Sequence, residues 1–170
     1  MATASNLVPF DEYMHTSYSP DCEYVDGVIL ERNVGQGRHA FTQSRLLLKL
    51  TEGTAIRKLI VLVEQRTRVA LGRVRIPDVC VVEQLEEVIS KPPLLCVEVL
   101  SPDDRWTRVN ASIADYQSMG VQYVWVVDPY NSRAWIFELD HPPVEATDGA
   151  LTARALGLEI PLSQVLPPAE

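Results

Sequence analysis

Pro77-Asp78-Val79-Cys80-Val81-Val82 and, after eleven intervening residues, Leu94-Leu95-Cys96-Val97-Glu98-Val99-Leu100 are the stretches that decide the fold. Both are continuous apolar runs rich in β-branched side chains, which predicts two central strands covered on both faces. One carboxylate, Asp78, stands at the head of the first run, and another, Glu98, interrupts the second. An ionised Glu in a buried strand is costly unless it is compensated, so Glu98 demands a metal ion, an arginine or a raised pKa that keeps it neutral.

On the C-terminal side, Trp106, Val109, Ile113 and Tyr116 recur at helical spacing between Asp104 and Met119. Asp103 or Asp104 is the expected cap, and Gly120 the expected stop. Gln122–Val127 then re-enters the sheet, Asp128-Pro129-Tyr130-Asn131 turns, and Arg133–Leu139 returns antiparallel. Strand, helix and strand in that order predict a right-handed crossover. After His141-Pro142-Pro143 the signals weaken to Leu151–Arg154, Leu158–Ile160 and Pro167-Pro168, read as edge strands and a tail.

On the N-terminal side, Phe10–Met14 is a short helix ended by the turn Tyr18-Ser19-Pro20-Asp21. Glu23–Val25 and Val28–Arg32 flank Asp26-Gly27, a dipeptide suited to the positive φ of a hairpin turn. A helix is predicted from about His39 to Glu52, followed by strands at Leu59–Val63 and Arg66–Leu71. The expected fold is α/β, a mixed sheet flanked by helices with an N-terminal hairpin. It forms one domain over residues 1–170, with its core at about 8–140 and edge strands and tail at 141–170.

The chain has 170 residues, 46% of them hydrophobic and 22% charged, enough for one core but short for two. No run approaches the roughly 20 apolar residues of a membrane helix, and the first residues lack a signal-peptide pattern, so no membrane association is expected. Cys22, Cys80 and Cys96 read as buried reduced thiols of a cytoplasmic protein. A net charge of −8 removes the global basic footprint of a passive nucleic-acid binder, so any DNA contact is local or metal-assisted. Trp106, Trp125 and Trp135 fall on packing positions and are read as core or dimer contacts. Exposed edge strands are compatible with a homodimer, and the sequence does not fix the oligomeric state.

Two carboxylates at adjacent strand ends can share a Mg²⁺ or Mn²⁺ ion that keeps water in its remaining positions, an arrangement suited to phosphodiester hydrolysis. No Cys or His pair has zinc-ligand spacing, no Gly-rich phosphate loop precedes a helix, and Ser101-Pro102 lacks the glycines of a nucleophile elbow. Zinc enzymes, nucleotide hydrolases and serine hydrolases are thereby disfavoured.

An ordered series of motifs narrows this further: Cys22-Glu23-Tyr24-Val25-Asp26-Gly27, His39, Ile76-Pro77-Asp78-Val79, Val97-Glu98-Val99-Leu100-Ser101-Pro102, Asp115-Tyr116, Gly120-Val121 and Trp125-Val126-Val127-Asp128-Pro129. The series resembles the Uma family of bacterial restriction-endonuclease-like proteins, over roughly residues 8 to 140. That resemblance implies the PD-(D/E)XK nuclease core and DNA as substrate. It also implies Asp78 and Glu98 as ligands of Mg²⁺ (or Mn²⁺), an upstream acid at Glu23, and a catalytic lysine displaced onto the following helix.

The sequence departs from the family pattern at that lysine, because the position four residues before Tyr116 is Ser112. Arg105 and Arg108, seven and four residues before it, share one side of the helix and are candidates to supply the missing charge, or form a solvated face. His39, at a helix start, is a candidate to act on water or phosphate, or a capping residue. Two readings follow: a metal-dependent DNA endonuclease, or a nuclease-like fold that lost its lysine and serves in binding or assembly. Without metal, crowding predicts a raised pKa at Asp78 or Glu98.

Overall fold

Asp26 and Gly27 take positive φ of 50° and 95°, the geometry that turns a two-residue hairpin with the twist of its strands. The computed structural model that contains this turn describes residues 7–33, 35–146 and 149–168. In chain order these form α1 (Phe10–Met14), β1 (Glu23–Val25), β2 (Val28–Leu30), α2 (Gly37–Thr54), β3 (Ile60–Val63), β4 (Thr67–Ala70), β5 (Arg73–Arg75), β6 (Val79–Val82) and β7 (Leu95–Val99). Then come α3 (Trp106–Met119), β8 (Tyr123–Asp128), β9 (Arg133–Glu138), β10 (Val144–Glu145), β11 (Ala150–Ala153) and β12 (Leu158–Pro161).

A six-stranded sheet runs β10-β9-β8-β7-β6-β3, and a second, four-stranded sheet runs β2-β1-β5-β4. In the larger sheet only β7 and β8 are parallel, joined through α3; its other neighbours are antiparallel. The two predicted central runs, β6 and β7, are indeed adjacent and buried.

Because side chains alternate faces along a strand, β6 and β7 sort their residues by parity. Val79, Val81, Leu95, Val97 and Val99 pack with Leu46 and Leu50 of α2 and with the C-terminal segment. Cys80, Val82, Cys96 and Leu100 pack with Val109, Ile113 and Tyr116 of α3. Asp78 and Glu98 have the second parity. Val79 pairs with Val97 and Cys80 with Cys96, so continuing the register by one residue sets Asp78 opposite Glu98, on the α3 face.

Several elements differ from the sequence reading. The helix predicted to stop at Glu52 continues through Gly53, whose missing side chain has a packing use: a Cβ there would lie 2.6 Å from Leu158 Cδ2. Of the strands in the C-terminal segment, β10 is an edge of the main sheet, but the two that follow it are not. β11 and β12 pair with each other, and Leu151, Ala153, Leu156, Leu158, Ile160, Leu162 and Val165 join the core, which therefore extends well past residue 140. β5 was not anticipated. Neither Asp103 nor Asp104 caps α3: Arg105 holds the extended N-cap position without a side-chain cap, and Asp104 accepts from the Ser101 amide at 2.6 Å instead. Trp125 is core, whereas Trp106 is 42% exposed and meets Trp135 edge-to-face at 4.8 Å. All three cysteines are free and buried, with burial pushing the Cys80 thiol up to about 12.

Candidate active site

The smaller sheet brings its own charges to the same place. Tyr24 pairs with Val74 and Val25 with Arg73, so the next cross-strand pair is Glu23 with Arg75. Their side chains form an ion pair at 3.0 Å. Both are buried, and α3 closes over them: Asp115 takes Arg75 at 2.7 Å and Arg73 at 2.9 Å, while Arg108 reaches Glu23 at 3.2 Å. The helix thus packs Val109, Ile113 and Tyr116 on the large sheet and turns Arg108, Ser112 and Asp115 toward the small one.

Between these layers lies a cavity of about 60 Å³, room for a few water molecules. Glu23, Arg32, His39, Asp78, Glu98, Arg108 and Ser112 all line it. The expected residues therefore converge, with one exception: Arg105, though in phase with Arg108 and Ser112, precedes the first helical turn, is exposed and does not line the cavity.

Asp78 is 4% exposed and tightly held. Its Oδ2 accepts the Val99 amide at 2.7 Å and has His39 Nε2 at 3.4 Å; its Oδ1 accepts Arg32 Nη2 at 2.9 Å. Burial by itself lowers the His39 pKa, but the hydrogen bond and charge of Asp78 outweigh it, and the net direction is upward. Glu98 Oε1 accepts the Tyr116 hydroxyl at 2.6 Å, and no donor among the described residues reaches its Oε2. Burial first, then the charges of Asp78 and Glu23, push the Glu98 carboxyl well above the usual carboxylate range.

Glu23 is not the solvated hairpin charge that such a position usually carries. Its Oε2 accepts from Arg75 and Arg108, and its Oε1 from the Ile76 amide at 3.3 Å. Arg75 and Arg32 were both absent from the sequence reading of the site. Arg75 sits in a strand with no apolar run, and Arg32 in the Glu31-Arg32-Asn33 end of the hairpin, which reads as a solvated edge.

Among the described residues, no three His, Cys, Asp or Glu side chains gather as a ready-made metal cage. Two hard carboxylates opposite each other, one with an uncommitted oxygen and beside a cavity of water size, nevertheless suit Mg²⁺, which is commonly held by one or two carboxylates and otherwise by water. Burial is the larger cause of the rise at Glu98; the repulsion from Asp78 and Glu23 that adds to it is what a divalent cation would relieve.

The comparisons with known proteins show the family and the fold. The model of the Uma2 family, described as "Putative restriction endonuclease", matches residues 10–164. The chain belongs to the Uma2 family. Its solved relatives include the crystal structure of a "putative nuclease belonging to DUF820" from Anabaena variabilis, 19% identical, with a TM-score of 0.81 over 91% of this chain and 95% of that one. A likeness at that identity shows the fold, a restriction-endonuclease-like mixed α/β architecture. No curated protein matches. Among the described residues, no helix is long and apolar enough to cross a membrane.

Proposed function

We propose that this Uma2 protein is a divalent-metal-dependent DNA endonuclease that hydrolyses phosphodiester bonds, with Asp78 and Glu98 as the residues that hold Mg²⁺ or Mn²⁺. The observation that carries the reading is the Asp78–Glu98 juxtaposition: two carboxylates share one face of two central strands, and burial, then the charges of Asp78 and Glu23, raise Glu98. An ion bound there supplies positive charge at the phosphate and makes water acidic enough to attack at neutral pH.

The chain's own residues prepare the rest. Val99 fixes Asp78 through a backbone amide that cannot move without the strand, and Tyr116 fixes the orientation of Glu98. Glu23 holds Arg108 against the cavity wall, where its guanidinium faces an incoming phosphate as a hydrogen-bond donor but not as a base. Hydrolysis breaks one P–O bond of the backbone, water adds to phosphorus, and the released sugar oxygen takes a proton.

The test is cleavage of supercoiled and single-stranded DNA with Mg²⁺ and with Mn²⁺, comparing the native chain with Asp78→Ala. Metal-dependent nicking by the native chain, abolished in the variant, supports the reading; identical nicking by both refutes it. One observation favours a second reading, a nuclease-like fold that binds without cutting: Ser112 occupies the lysine position, and no lysine lines the cavity among the described residues. DNA binding without cleavage under every metal condition is its signature.

A further inference from the structure

Ser112 lines the cavity with a hydroxyl where the family pattern puts a positive charge. The cavity still contains guanidinium groups, and their attachments differ. Arg108 is committed twice, to Glu23 Oε2 at 3.2 Å and to the Glu31 carbonyl at 2.6 Å. Arg32 makes one close contact, to Asp78 Oδ1, and only a looser one to Glu64, at 3.8 Å. Glu64 is largely exposed, so solvent weakens that second attachment.

The oxygen that Arg32 holds is also the one a metal ion needs. Asp78 Oδ2 is turned to the Val99 amide and to His39. Oδ1 is therefore the oxygen free to face a cation once its side-chain partner moves, and a guanidinium and a divalent ion repel each other at a single oxygen. Beside Arg32, the Glu31 carbonyl accepts from Arg108 and the Asn33 side chain donates to Asp104 Oδ1 at 2.7 Å. The exchange therefore needs only rotation of the Arg32 side chain.

We propose that Arg32 is a built-in counter-ion: it neutralises Asp78 until a divalent ion enters, then releases Oδ1 and turns its guanidinium to the DNA phosphate, replacing the lysine that Ser112 has displaced. This rests on the nuclease reading for its second half and on the geometry of Asp78 alone for its first. It differs from a merely structural ion pair in one respect, because removing Arg32 improves metal binding while impairing cleavage.

The experiment is titration with Mn²⁺ followed by electron paramagnetic resonance, on the native chain, Arg32→Gln and Arg32→Lys, with DNA cleavage measured in parallel. Arg32→Gln is expected to bind Mn²⁺ about ten-fold or more tightly and to lose about 100-fold in cleavage. Arg32→Lys, which keeps the charge and guards against a folding defect, is expected to bind Mn²⁺ like the native chain. Unchanged or weaker Mn²⁺ affinity in a folded Arg32→Gln overturns the proposal. Tighter Mn²⁺ binding by Arg32→Gln, beside a native chain that cuts no DNA at any metal concentration, leaves the exchange at Asp78 standing but overturns both the phosphate role and the nuclease reading. Absence of Mn²⁺ binding in all three proteins overturns everything.

Discussion

Two charged clusters share the wall of one cavity, and their balance differs. Around Glu23 the charges close: Glu23, Asp115 and Asp26 meet Arg75, Arg73 and Arg108, three carboxylates against three guanidiniums. Around Asp78 they do not. Asp78 and Glu98 have Arg32, which also faces Glu64, and a histidine whose charge depends on its proton. The closed cluster is a brace between the small sheet and α3. The open one has an unmet demand for positive charge, met in the metal-free protein by a rise in the Glu98 pKa. Acidic residues in a pocket therefore carry little information until their partners are counted; the shortfall is what marks a site.

The sharpest way to break this contrast is to open the closed cluster. Arg75→Ala leaves Glu23 and Asp115 buried without their shared partner and is expected to cost about 3–5 kcal/mol, read as a fall in the urea midpoint at constant slope. A loss under 1 kcal/mol would show that the brace is ornamental. Next in size is Ser112→Lys, which adds a fixed charge to the open cluster; cleavage is expected to rise about 100-fold, measured in single-turnover reactions with excess protein. No rise in a folded variant that still binds Mn²⁺ means that the position no longer faces a phosphate.

Glu98→Gln sharpens the comparison by pH. The folded state holds the Glu98 proton more tightly than the unfolded state does, so Glu98 contributes stability below the unfolded pKa and loses it as pH rises through the raised folded value. The native chain and the variant should then differ least at and below roughly pH 4, the ordinary range of a Glu carboxyl, with the variant becoming the more stable at alkaline pH. Mg²⁺ should reverse that order by stabilising only the native chain. Thermal melts across pH, with and without Mg²⁺, read both effects. The smallest effect is expected at Arg105, which belongs to neither cluster: Arg105→Ala should change stability by less than about 0.5 kcal/mol and leave Mn²⁺ affinity unchanged.

What was legible in the sequence follows the range of the interactions involved. Asp26-Gly27 announced its hairpin because the turn's requirement is local, and β6 and β7 announced themselves because burial on both faces leaves a continuous apolar run. β5 left no such trace. Arg75 is buried there only because Glu23 and Asp115, 52 and 40 residues away, meet it in space. Arg32 was hidden for the same reason, since its partner is 46 residues away. Gly53 looked like a helix stop because its actual use, the close approach of Leu158, is again long-range.

One consequence of the Asp78–Glu98 register concerns motion. The backbones that carry the two carboxylates are held at the hydrogen-bonded spacing of central strands, about 4.8 Å, and not by a loop. They can separate only if the heart of the sheet comes apart. Amide protons of Val97 and Val99 should exchange with deuterium only through global unfolding, whereas those of Glu31 to Asn33, held by side-chain contacts at the rim, should exchange by small local openings. The two regions of the site thus differ in how their backbone opens: through the whole sheet beneath Asp78 and Glu98, and locally beside Arg32.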